Sequence, residues 1–130
     1  MWRFIGQLTL LTLVIMPSTL LAQSTIQVGE TRVGSLSEGD KRLPLDGSLY
    51  DRYVFEGQAG QRIKIELTST SFEPYLALMD RDGTELISSS ADADTRTARI
   101  EITLSYTGRY HIRVNSLHKD GTGRYTLKIQ

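Results

Sequence analysis

Residues 96–129 read RTARIEITLSYTGRYHIRVNSLHKDGTGRYTLKI, and this stretch decides the fold. Ala98, Ile100, Ile102 and Leu104 alternate with Arg99, Glu101 and Thr103. Tyr110, Ile112 and Val114 alternate with Arg109, His111 and Arg113. Tyr125, Leu127 and Ile129 alternate with Arg124, Thr126 and Lys128. A period of two sets one face of each strand in a core and the other in water. Thr107-Gly108 and the turn at 119–123 (KDGTG) separate the three runs. Gly-Arg-Tyr opens the last two, which is repeated strand chemistry and not a domain repeat.

The same pattern extends toward the amino end. Tyr53 and Phe55 alternate with Arg52, Val54 and Glu56; Ile63, Ile65 and Leu67 alternate with Arg62, Lys64 and Glu66; Leu76 and Leu78 follow Pro74. Ile65 and Ile102 lie mid-strand and are expected in the core, with Lys64 and Glu101 facing water. Residues 57–60 (GQAG) break two strands. Asp82-Gly83 signals a hairpin turn of type I′. Residues 88–95 (SSSADADT) are small and polar and read as a loop. The Gly-, Ser- and Asp-rich region 29–47 holds one strand, around Thr31–Leu36. No window shows helical spacing. Seven or eight short strands at this spacing predict an all-β, antiparallel sandwich or barrel.

The chain has 130 residues, enough for one domain and too few for two. Its 15 basic and 15 acidic residues cancel, which argues against a nucleic-acid protein. There is no cysteine, which removes disulfides, thiolate zinc sites, cysteine nucleophiles and lipoprotein anchoring. Residues 1–22 have the layout of a secretory signal peptide: Arg3, the short apolar run 8–16 (LTLLTLVIM), then Pro17, Ser18 and small residues at Ala22 and Ser24. The run falls short of the roughly 20 residues that span a bilayer. Cleavage after Ala22 or Ser24 leaves a domain over 23–130 with no membrane span, in the periplasm or outside the cell. Export without cysteine points to a bacterial source.

Gly34-Ser-Leu, Gly39-Asp40, residues 50–57 (YDRYVFEG), 59–63 (AGQRI), 72–78 (FEPYLAL) and 80–83 (DRDG), with the endings 107–114 (TGRYHIRV) and 123–127 (GRYTL), together resemble the bacterial pre-peptidase C-terminal domain. The match runs from about Val28 to the last residue. One departure is the loop 88–94, where the family often carries an Asn-Asp-Asp-Gly-like cluster and this chain has the sparser Asp92 and Asp94. The resemblance implies a jelly-roll-like β-sandwich that is not itself catalytic. Such domains are appended to exported proteases and other enzymes and bind substrate or protein. The collagen-binding modules of clostridial collagenases are similar in fold and bind calcium. The matching acidic types here are Glu30 and Asp51, with Asp46 nearby.

The residues give catalysis little to work with. There is no Gly-x-Ser-x-Gly elbow. His111 reads as a solvated histidine between Arg109 and Arg113, and His118 as a loop residue; two histidines without a third ligand do not make a zinc site. Asp80 and Asp82 with Gly83 begin like a calcium loop, but Ala91 stands where the twelfth-position carboxylate belongs. Tyr50, Tyr75 and Tyr106 fall outside the inward pattern or at strand ends, and are the candidate contact residues for a partner. The expectation is an exported, non-catalytic accessory module that binds a protein or other extracellular macromolecule and needs no cofactor. The alternative is a calcium-stabilised structural module, with a hydrolase third.

Overall fold

The structure, a computed structural model, describes residues 24–130; the signal segment expected at 1–22 lies outside them. Ten strands are present among the described residues: β1 (Ser24–Thr25), β2 (Thr31–Leu36), β3 (Lys41–Arg42), β4 (Leu49–Gly57), β5 (Arg62–Thr68), β6 (Pro74–Met79), β7 (Glu85–Ser90), β8 (Thr97–Thr103), β9 (Gly108–Ser116) and β10 (Gly123–Ile129). Of the eight longer ones, six are those that the alternation predicts, β2 is the strand expected around Thr31–Leu36, and β7 follows the hairpin turn at Asp82-Gly83.

They form two sheets. One runs β1-β4-β9-β6-β7, with β3 also on β4; the other runs β2-β10-β5-β8. All pairings are antiparallel except that of β1 with β4. The result is an antiparallel, jelly-roll-like sandwich. Its core lies between the facing sides: Tyr53, Phe55, Leu76, Leu78, Tyr110, Ile112 and Val114 of the first sheet meet Ile63, Ile65, Leu67, Ile100, Tyr125, Leu127 and Ile129 of the second. Side chains from two inner faces interdigitate in this way because each sheet must hide one apolar side.

Four details differ from the sequence reading. Ile102 is only partly buried, because β8 is an edge strand and the side chain has no strand beyond it. Residues 88–90 belong to β7 and are not loop. Ser89 Oγ accepts from the Arg99 amide of β8 (3.3 Å) and so ties the edges of the two sheets together. The Asp82-Gly83 turn is not type I′, which requires positive φ at both central residues. Arg81 and Asp82 have negative φ and Gly83 alone is positive, at 85°. With Gly83 N–H donating to the Asp80 carbonyl (3.0 Å), this is a type I turn followed by a left-handed glycine. Finally, His111 is 5% exposed and not solvated. It shares the outer face of the six-stranded sheet with Val54, Ala77, Met79 and Asn115, which are also buried.

Candidate functional site

The acidic residues singled out in the sequence do not converge. Glu30 accepts from the Arg32 guanidinium and from the Gln27 amide, and the Arg32 hydrogen bond holds its carboxyl below the usual range. Asp46 accepts from the hydroxyl and amide of Ser48 (2.7 and 2.9 Å), which lower its pKa. Asp80 accepts the amides of Asp82 and Thr84 (both 2.9 Å) and closes its own turn; Asp82 points to solvent at the tip. Among the described residues no group of three or more His, Asp or Glu side chains is placed to hold one ion.

Asp51 has a different environment. It sits on the inward side of β4, beside the gap between β3 and β1 on that strand's edge. Its carboxylate accepts from the Tyr125 hydroxyl, which in turn is 2.6 Å from the Tyr53 hydroxyl. Gly34 leaves room for this chain of hydroxyls: a Cβ there would stand 2.5 Å from the Tyr125 oxygen. Asp40 supplies a second carboxylate. Burial pushes the Asp51 carboxyl up to about 6; the Tyr125 hydrogen bond opposes the rise, and the charge and hydrogen-bonding of Asp40 add to it. The two carboxyls line an open notch with Lys41, Tyr50 and Arg52. Asp40 was not singled out in the sequence. The Asp40–Asp51 pair depends on β3 folding back onto β4, and a two-residue strand leaves no periodicity to read.

The three tyrosines do not form one patch. Tyr50 and Tyr75 both lie opposite Asn115 in register, so they share the outer face of the six-stranded sheet two strand spacings apart, about 10 Å. Asn115 is turned aside, donating to Ser48 Oγ (3.0 Å) and the Leu49 carbonyl (2.6 Å). Tyr106 is at the far end of β9, and its hydroxyl is fully engaged. It accepts the Arg81 amide (2.9 Å) and donates to the Arg109 carbonyl (2.7 Å), with the Arg81 guanidinium 4.3 Å from the ring centre.

The outer faces of the two sheets differ in charge pairing. On the four-stranded sheet Arg99 pairs with Glu66 (2.8 Å) and Arg62 with Glu101 (3.5 Å), while Lys64, Arg124 and Lys128 on the same outward side form no ion pair among the described residues. On the six-stranded sheet Arg52 stands directly opposite Arg113. Burial, followed by the nearby charges of Arg52 and Arg109, pulls the His111 pKa down; contacts with the Arg81 backbone and Asp80 partly offset this. His118 forms an exposed pair with Glu73 (3.0 Å) on the surface. Among the described residues no hydroxyl nucleophile is hydrogen-bonded to either imidazole.

The model of the bacterial pre-peptidase C-terminal domain matches residues 49–116, just over half of the chain, running from the first residue of β4 to the last of β9. The pre-peptidase C-terminal domain of collagenase from Bacillus anthracis is similar in structure, with a TM-score of 0.65 and 19% identity over 82% of this chain and 93% of that one. PliG of Aeromonas hydrophila, a periplasmic inhibitor of g-type lysozyme, superposes with a TM-score of 0.53 and 17% identity over 82% of this chain and 96% of its own. Identities this low establish a shared fold. No curated protein sequence matches.

Proposed function

The chain belongs to the bacterial pre-peptidase C-terminal domain family, and from that premise we propose that it is an exported, non-catalytic module that binds a protein partner on the outer face of its six-stranded sheet. The observation that carries this reading is the contrast between the two outer faces. The four-stranded sheet presents charged and threonine side chains, with Arg62 and Arg99 paired to glutamates and no tyrosine on the outward side. The other keeps two half-buried tyrosines and an arginine pair over a floor of Val54, Ala77 and Met79. Tyrosine and arginine are the residue types that anchor protein interfaces. A collagenase domain and a periplasmic lysozyme inhibitor sharing the fold support a binding role for this chain.

The test is capture of partners from the exported fraction of the source cells. Tyr50→Ala with Tyr75→Ala should abolish capture while the protein stays folded, with a lower melting temperature because both rings are half-buried and the Tyr75 hydroxyl donates to Ser88 Oγ (3.0 Å). Tyr106→Phe should lower stability without touching capture: it removes a hydroxyl with two internal partners, costing about 0.5–1.5 kcal/mol. Equal capture by the double variant and the parent protein would place the interface elsewhere.

Two further expectations concern calcium and processing. Calcium should matter little, because Glu30, Asp46 and Asp51 each serve a separate internal partner. A site with a millimolar Kd would gain about 0.4 kcal/mol in millimolar calcium, close to the resolution of a melt. A rise of several degrees that Asp51→Ala removes would instead establish the calcium-stabilised module. Processing should occur after Ala22, since β1 begins at Ser24 and cleavage after Ser24 would remove half of that strand. Mass spectrometry of the exported protein should therefore find Gln23 at the amino end.

A further inference from the structure

The outer face of the six-stranded sheet carries costs that its own residues do not relieve. Arg52 and Arg113 are directly opposite across β4 and β9, where like charges are destabilising. Among the described residues no carboxylate lies within ion-pair distance of Arg52, and residues 1–23 contain none. Arg113 has one long ion pair, to Glu85 at 3.5 Å, and its Nε is buried without a hydrogen-bond partner. Asp46 is close enough to feel the charge of Arg113 but is engaged by Ser48. The next residue along the same face of β9 is His111, 5% exposed, with Nδ1 buried and unpartnered. Unmet donors and acceptors in a buried position are expensive, and here they cluster on one outward face.

A carboxylate docked on this face relieves the opposition of Arg52 and Arg113. It accepts charge-assisted hydrogen bonds from guanidinium groups, and it turns the repulsion of Arg52 and Arg113 into attraction. Tyr50, the neighbour of Arg52 on the outward side of β4, offers ring surface to the residues flanking such a group. The chain as a whole is neutral, and Glu56 and Glu85 border the face. A polyanion such as a nucleic acid would meet those two carboxylates; a single acidic side chain need not.

We propose that this face recognises an acidic segment of a protein partner, with one Asp or Glu carboxylate seated between Arg52 and Arg113 beside His111. The proposal rests on the binding-module reading and names the chemistry of its partner. The test is an NMR titration of the exported protein with a glutamate decapeptide, a lysine decapeptide and inorganic phosphate. The glutamate peptide should shift the Arg52 and Arg113 side-chain Nε–H signals and the His111 ring signals. Arg52→Gln should weaken its binding at least tenfold, and Lys64→Gln, on the other sheet, should not. The lysine peptide should leave these signals in place, and phosphate should compete only weakly. No shift at this face overturns the proposal, as does indifference to Arg52→Gln. Competition by phosphate as effective as by the peptide would also overturn it, because the site would then be one for small anions. If the proposal fails while capture still depends on Tyr50 and Tyr75, only the acidic chemistry falls; loss of that dependence removes the binding face itself.

Discussion

Ile65→Ala should lower the free energy of unfolding by about 2–5 kcal/mol. Ile65 is fully buried. It lies on an inner strand of the four-stranded sheet, in register with Ile129 of β10 on one side and Ile100 of β8 on the other. Removing its methyl groups leaves a cavity walled by two strands and by the opposite sheet, none of which can close in without breaking its own ladder. Against a total stability of about 5–15 kcal/mol for a small domain, the loss is a large fraction. Ile102→Ala should cost less, since Ile102 sits on the edge strand and is only partly covered. Lys64→Ala should cost almost nothing, because Lys64 faces water beside Glu101. Denaturant melts of the three variants rank them directly. A Lys64→Ala loss as large as that of Ile65→Ala would mean that β5 is turned over, since a one-residue slip in register exchanges every inward side chain for its neighbour.

Most of this architecture is legible in the sequence because period-two alternation is a direct record of which side chain meets the core. It identifies six of the eight long strands and the inward set of β4, β5, β9 and β10. It fails where a strand is too short to carry a period, as with β1 and β3. It also fails where polar residues build a strand through their side-chain bonds, as the serines of β7 do with Tyr75 and Arg99. The burial of His111 is invisible for a related reason. Alternation assigns it correctly to the outward face, but outward is not the same as exposed for a ring flanked in register by Val54 and Met79 and close to Arg52, Arg109 and the Arg81 backbone. The candidate site is less legible than the fold. Tyr50 and Tyr75 emerge as outward residues, while their common neighbour Asn115 is defined by sheet order. Asp51 emerges through a family pattern; Tyr53 lies two residues along the same strand, while its partners Asp40 and Tyr125 come from two other segments of the chain.

Asp51→Asn should change the pH dependence of stability more than any other single carboxyl substitution. The folded-state pKa of Asp51 is pushed up to about 6 from the ordinary aspartate value of 3.8, chiefly by burial. A carboxyl raised on folding binds its proton more tightly in the native state. Its favourable contribution is therefore complete below pH 3.8 and is lost as the pH rises through 6. At neutral pH the protein holds a partly buried negative charge beside that of Asp40. Two pKa units would carry roughly 3 kcal/mol in full, and solvent screening at this half-buried site should reduce that figure. Asparagine has nearly the same shape, still accepts from Tyr125, can donate to Asp40, and carries no charge at any pH. The variant should thus be more stable than the parent protein at pH 7.5 and nearly equal to it at pH 4. His111 works in the opposite sense: its pKa is lowered on folding, so its contribution is present at neutral pH and is lost in acid. The difference in melting temperature between variant and parent at each pH cancels the His111 contribution, which both proteins share. A difference that stays constant from pH 4 to 7.5 would show that Asp51 is already ionised without cost in the folded protein. The hydroxyl chain from Tyr53 through Tyr125 would then suffice to hold its charge.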